Sequence, residues 1–245
     1  MKRNQYTKRL SILLMFIMIA MFSLTACQED TPTTEVPIPT EPSTEDLSYL
    51  DAYTQYVQSI LDANYHGDCE LYMQITGASK QQAEKMLDAH AVNLAEQIAE
   101  LYAIQLKQIP AEIGERLTKV AHDVYEKAVY TVSDAEKVGE KIYVSIAIQP
   151  LKFYHGVAEK IESYIENFNE RAKNGDFGHL TESEYENEYA KGILDVLEAS
   201  TQGIETEGVQ DYRIQIRYNE QTKISYIAEE DLDAINRLIL AVWEG

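Results

Sequence analysis

Ile142, Val144, Ile146 and Ile148 fall on alternate residues, and Pro150 closes the run. On either side, apolar residues recur every third or fourth position instead. Alternation puts one apolar face on a strand, whereas the longer period puts an apolar stripe along a helix. The switch happens twice. Tyr212, Ile214, Ile216 and Tyr218 alternate against Arg213, Gln215 and Arg217, then Asn219 to Lys223 turn and Ile224 to Ala228 return. Two antiparallel hairpins with helices segregated between them predict an α+β fold, in the order helices, hairpin, helices, hairpin, helix. The alternating βαβ units of a doubly wound or periplasmic-binding-protein fold are absent.

The helices can be placed by their caps. One is predicted from Ser43 or Thr44, with Asp46 in a capping box, through Leu47, Leu50, Tyr53, Val57, Ile60 and Leu61 to Gly67. A short helix spans Asp68 to Ile75. Ser79 and Gln82 form the capping box of a helix running to about Lys107, and Pro110 opens another. Val129 to Val132 pairs with the first alternating run around a turn at Gly139. Phe153, Val157, Ile161, Ile165 and Phe168 mark a helix ending at Asn174-Gly175, and Thr181 to Glu184 caps the next. The last helix carries Leu232, Ile235, Leu238, Ile239 and Val242. The order repeats over 45–150 and 151–245, the pattern an old duplication would leave.

The first 26 residues have the three parts of an export signal. Lys2, Arg3, Lys8 and Arg9 are the only charges, and Leu10 to Leu24 is apolar apart from Ser11 and Ser23. As a helix that stretch spans about 22 Å, short of a hydrocarbon core of about 30 Å. Leu24-Thr25-Ala26-Cys27 reads as a lipobox, with cleavage after Ala26 and acylation of Cys27. Two acyl chains are what stable anchoring takes. The expectation is a protein held by diacylglycerol and palmitate-type chains in the bilayer, on the outer face of the cytoplasmic membrane. Residues 27–44 are rich in proline, threonine and glutamate and read as an extended stalk.

Charge narrows the partners. The chain carries a net −20, and loss of the signal takes it to −24 because four positive charges leave and no acid does. A nucleic-acid partner needs a basic patch, so none is expected. Cys69 would be alone once Cys27 is acylated, which leaves no intramolecular disulfide and reads as a small buried hydrophobe. Seventeen tyrosines against five phenylalanines fit a core with polar tips at its rim.

The strings 65–85, 143–150 and 224–235 resemble small lipoproteins of Gram-positive Firmicutes that carry domains of unknown function. The resemblance covers most of 45–240. Some of these proteins are similar to the nuclear transport factor 2-like, cystatin-like roll, in which helices pack on a curved antiparallel sheet and a pocket opens between them. This chain departs in its long helical region before the first hairpin and in showing four strands. The resemblance brings no catalytic residues.

Motifs for chemistry are missing. The five histidines, 66, 90, 122, 155 and 179, are scattered, with no HExxH and no zinc spacing. His122-Asp123 point about 100° apart on a helix, so two separately solvated side chains are a simpler reading than an oriented general base. Glu182, Glu184, Glu186 and Glu188 spread around a helix as a solvated face, with a weak cation site as the other reading. No P-loop, GxGxxG or GxSxG occurs. No cofactor is expected. Tyr212, Tyr218 and Tyr226 are predicted on the inward sheet face and are the candidates for a ligand pocket, set against simple packing under the helices. The functional expectation is a non-catalytic surface module that binds a protein, a peptide or a small apolar ligand. The alternative is a surface hydrolase acting on wall material.

Overall fold

The computed structural model describes residues 48–242 apart from 108, 222 and 223. The signal segment, Ala26, Cys27, the stalk and the Ser43–Asp46 cap lie outside the described residues. Among the described residues, seven α-helices and five strands form an α+β fold, as the periodicity predicts.

Helix α1 (Ser48–Leu61) passes without a break into a π-helical turn, Asp62–His66, which Gly67 ends at φ 69°. A side chain at that φ is strained, so glycine is the natural stop. Short α2 (Glu70–Thr76) follows and ends at Gly77 in the same conformation. Helix α3 (Lys80–Leu101) starts on the expected box, Ser79 and Gln82 capping each other reciprocally. It ends six residues before the predicted Lys107. Ala103 adopts φ 54°, its N–H donates to Glu100, and the Ile104 N–H reaches back 2.8 Å to the Ala99 carbonyl. This is a Schellman stop built on alanine, so no glycine announces it.

Helix α4 (Ala111–Tyr125) packs against α3 and buries Ile113, Leu117, Val120 and Val124. Strands β1 (Val129–Val132) and β2 (Glu136–Val138) both pair antiparallel with β3 (Lys141–Gln149). The chain leaves the ladder between them, where the Ala135 N–H donates to the Thr54 hydroxyl on α1. Strand β2 is exposed along its length and has no apolar face, which is why alternation gave four strands rather than five.

Helices α5 (Phe153–Asn174) and α6 (Glu182–Ser200) form an antiparallel pair on one another. Gly192 permits their contact: a Cβ there would sit 2.1 Å from the Tyr164 ring. A 3₁₀ turn, Thr201–Gly203, leads to β4 (Gln210–Asn219), then β5 (Ile224–Ile227) and α7 (Glu229–Ile239).

The sheet is ordered β1–β3–β4–β5, with β2 also on β3, and is curled into a half-barrel. Strand β3 of the first half lies beside β4 of the second, from Ile142 opposite Ile216 to Ile148 opposite Gln210. The two hairpins therefore form one sheet. Val144, Ile146, Ile148 and Ile214 are fully buried on its inner face, and α1 and α7 pack there. The Tyr125 hydroxyl donates to Asn236 of α7, and α6 is tied to the α3 end by Tyr189 donating to the Tyr102 carbonyl.

Candidate functional site

Between β3 and α5 the chain has to turn from sheet to helix at Pro150-Leu151-Lys152. Leu151 is fully buried and bridges to Thr206, while its N–H donates to the Ile239 carbonyl at 2.7 Å. The Lys152 N–H donates to Glu205, and the Glu207 N–H to Pro150, both at 2.8 Å. These bonds fix three segments at one corner: the start of α5, the strand-like stretch after the 3₁₀ turn, and the end of α7.

A cavity of about 420 Å³ opens at this corner. One wall is the first two turns of α5, with Lys152, His155, Gly156 and Lys160. The other is the end of α6 and the turn after it, with Ser200 and Glu205. A second cavity of about 270 Å³ shares Lys152 and His155. The lower limit for a small-molecule site is about 300 Å³, so the larger cavity qualifies by volume. Lys160 reaches across to donate to the Ser200 hydroxyl at 3.2 Å. Lys152 lies 3.9 Å from the Glu205 carboxylate. Spacings of three, four and eight put residues 152, 155, 156 and 160 on one helical face. A Cβ built at Gly156 or Gly203 would meet nothing within 4 Å, and neither glycine has a positive φ. Neither crowding nor backbone strain calls for glycine at these two places, and both keep the cavity wide.

A second polar group sits on the π-helical turn. The Asp62 carboxylate accepts from the Tyr130 hydroxyl and from Gln58, both at 2.7 Å. The Tyr130 hydroxyl also lies 3.2 Å from His66 Nδ1, and His66 Nε2 lies 3.0 Å from the Ala128 carbonyl. A neutral His66 fits this as the Nε2–H tautomer, donating to Ala128. Burial and the Asp62 carboxylate push the Tyr130 phenol well above its ordinary range. It is a firm proton holder rather than a ready nucleophile.

His90 lies on the inner stripe of α3, stacked on Tyr125 with ring centres 4.5 Å apart. Its Nε2 is buried and finds no hydrogen-bond partner among the described residues. Burial, and then the nearby His122, lower its pKa to about 4. Cys69 is half-buried at the start of α2, and burial raises its thiol above the usual value. Among the described residues no group of three or more His, Cys, Asp or Glu side chains could hold a metal ion. Glu184, in the acidic run, closes the cap of α6 on Thr181.

The three tyrosines expected on the inward face do not come together. Tyr212 is on that face, but its hydroxyl donates to Asp231 of α7 at 2.8 Å, and burial with that bond pushes its pKa up to about 12. Tyr218 shares its side of β4 near the strand end and is exposed. Tyr226 is a correction. It pairs with Arg217, on the opposite face from Ile216, while Ser225 and Ile227 point inward. Three apolar residues in Ile224-Ser225-Tyr226-Ile227 leave the phase of alternation open, and the inward position went to serine. None of the three tyrosines lines either cavity at the start of α5.

No family model and no curated protein matches the chain. The fold is similar to the crystal structure of ycdA from Bacillus subtilis, described as a lipoprotein, with a TM-score of 0.51 and 12% identity. The match covers 78% of this chain and 57% of that one, so this chain spans a little over half of the neighbour's length. At that identity the likeness is one of fold.

Sequence reasoning missed Lys152, Gly156 and Lys160. Two signals were available. Their spacing makes one helical face basic in an acidic chain, and Gly156 sits in a helix where glycine costs about 1 kcal/mol against alanine.

Proposed function

We propose that this chain is a surface lipoprotein, anchored through acylated Cys27, whose α+β body binds a ligand without transforming it. The anchor is supported by the basic, apolar and small-residue succession ending in Leu24-Thr25-Ala26-Cys27. The fold likeness to a Bacillus subtilis chain described as a lipoprotein agrees with it. Among the described residues no helix is long and apolar enough to cross a membrane. Binding is carried by one observation: the larger cavity is walled by Lys152, Lys160 and Ser200, with no acid–histidine pair hydrogen-bonded across it. Such walls hold and orient a ligand, and their acid, Glu205, faces Lys152 as a loose ion pair rather than a histidine.

The hydrolase reading draws on the Asp62–Tyr130–His66 group, a described polar cluster in which an acid and a histidine share a tyrosine hydroxyl. Its hydrogen bonds are spent internally on Gln58 and Ala128. A π-helical turn is often kept at functional sites, and that favours it.

The anchor is tested by replacing Cys27 with Ala in cells fed a palmitate analogue. Label should vanish and unprocessed precursor should accumulate; undiminished labelling refutes the anchor. Binding is tested by cross-linking the protein on intact cells. A recovered, chemically unaltered partner supports it, whereas recovery of a wall polymer that the protein cleaves supports the hydrolase.

A further inference from the structure

The cavity at the start of α5 has a chemical preference. Its cationic groups come from one helical face, Lys152 and Lys160 with the His155 imidazole between them. Lys160 Nζ donates only to a neutral hydroxyl, that of Ser200, and among the described residues no carboxylate lies within 4 Å of it. Lys152 is only loosely held by Glu205, at 3.9 Å, and Glu205 is itself mostly exposed and able to swing away. Two ammonium groups therefore reach this cavity without a tight carboxylate partner, in a chain of net −20. The remaining walls are apolar, with Val157 buried behind Gly156.

Resting on the reading of this cavity as the binding site, we propose that it takes a small organic oxyanion. The carboxylate or phosphoryl group sits between Lys152 and Lys160, and a short apolar part lies over Gly156 toward Val157. Glu205 acts as an internal competitor that occupies Lys152 until the ligand arrives. The cavity is larger than a bare phosphate needs, which is why an organic remainder belongs to the ligand. Charge-assisted bonds from two ammonium groups orient the oxyanion, and the two glycines admit the rest.

The full chain, purified in detergent and held at constant ionic strength, is titrated with inorganic phosphate and, separately, with succinate. Calorimetry and the rise in unfolding temperature read the binding. We expect saturation by at least one probe below about 10 mM, and loss of at least about tenfold in affinity in the Lys152→Gln/Lys160→Gln variant. Phosphate alone binding assigns a phosphoryl ligand, and succinate alone a carboxylate. Glu205→Gln should tighten binding about threefold by freeing Lys152. Gly156→Ala should raise the unfolding temperature while weakening succinate, because its Cβ favours the helix but enters the cavity. No saturation by either probe, or equal affinity in the double lysine variant, overturns the proposal. Weaker binding of either probe in Glu205→Gln overturns it too, since that result makes Glu205 a support of the site rather than a competitor for Lys152. A neutral or cationic molecule that co-purifies with the native protein and is lost in Gly156→Leu would leave the binding site standing and sink only its anion preference. Palmitate labelling of Cys27 reports on the anchor independently of every one of these results.

Discussion

The Tyr130 hydroxyl on β1 donates a 2.7 Å hydrogen bond to the Asp62 carboxylate on the π-helical turn. One bond thereby ties the end of α1 to the edge of the sheet. A π-helical turn is a rare conformation with poorer packing than α, so it persists where side chains secure it. Gln58 secures it from one side and Tyr130 from the other.

Tyr130→Phe keeps the ring and removes the donor. The bond reaches a charged acceptor that is only partly exposed, so the loss should be about 1–2 kcal/mol. Urea unfolding of wild type and variant measures it. A midpoint that does not move would mean that water replaces the tyrosine without cost.

His90 makes stability depend on pH. Its pKa is about 4 in the fold against an ordinary 6.5, because burial beside Tyr65 and Tyr125 disfavours the charge and His122 adds to the effect. The groups facing it are those two tyrosines and His122, which lies 3.8 Å from Asp88. The unfolded chain takes up the proton first as pH falls. This contribution is therefore whole above pH 6.5 and declines toward pH 4, by on the order of 3 kcal/mol in all. His90→Phe keeps the stack on Tyr125 without a titrating group. Chemical unfolding at stepped pH should show a flatter profile for His90→Phe between 6.5 and 4; parallel profiles would exclude His90 as the source.

Gly192→Ala should cost about 1–3 kcal/mol by overpacking. The new Cβ would meet the Tyr164 ring at 2.1 Å, and that ring is held by its hydroxyl donating to the Glu188 and Tyr189 carbonyls at 3.2 Å. Thermal unfolding of the two single variants and of Gly192→Ala/Tyr164→Ala gives the cycle. The double variant should lose less than the sum of the singles, because the clash needs both side chains. Additive losses would show that the helices tolerate the Cβ without contact.

Ala103→Gly should stabilise the protein. Alanine at φ 54° carries a steric penalty of about 1 kcal/mol that glycine lacks, and the backbone bonds of the stop remain. The greater freedom of glycine in the unfolded chain offsets part of this. A net gain of a few tenths of a kcal/mol to about 1 kcal/mol in urea unfolding is expected. A loss would mean that the alanine methyl makes a contact worth more than the strain.

The strands and helices that could be read from sequence are those where one face is apolar and the end is chemically marked. Val144, Ile146 and Ile148 lie inward as alternation requires, and the boxes at Ser79–Gln82 and Thr181–Glu184 form. The end of α3 escaped because Ala103 takes a glycine's role, and β2 because all three of its residues face solvent. Tyr226 was assigned to the wrong face because an apolar run has no phase. The site was harder to see. Residues 150–156 and 200–207 are distant in the chain, and the bridge from Leu151 to Thr206, with the packing of α5 on α6, brings their side chains to one corner. The signal was one basic helical face, which has meaning only beside the wall it looks onto.

Because β3 finds its neighbour in β4, the helical pair α5–α6 is threaded between two strands that must meet. Closing so long a loop costs entropy before any of its contacts repay it, so the central seam of the sheet belongs late in folding. The helical pair, whose contacts are local, can assemble first and shorten the effective distance. Until that moment the inner edge of β3 is an unpaired strand rich in isoleucine and valine, the part of the molecule most exposed to aggregation while the chain is being made.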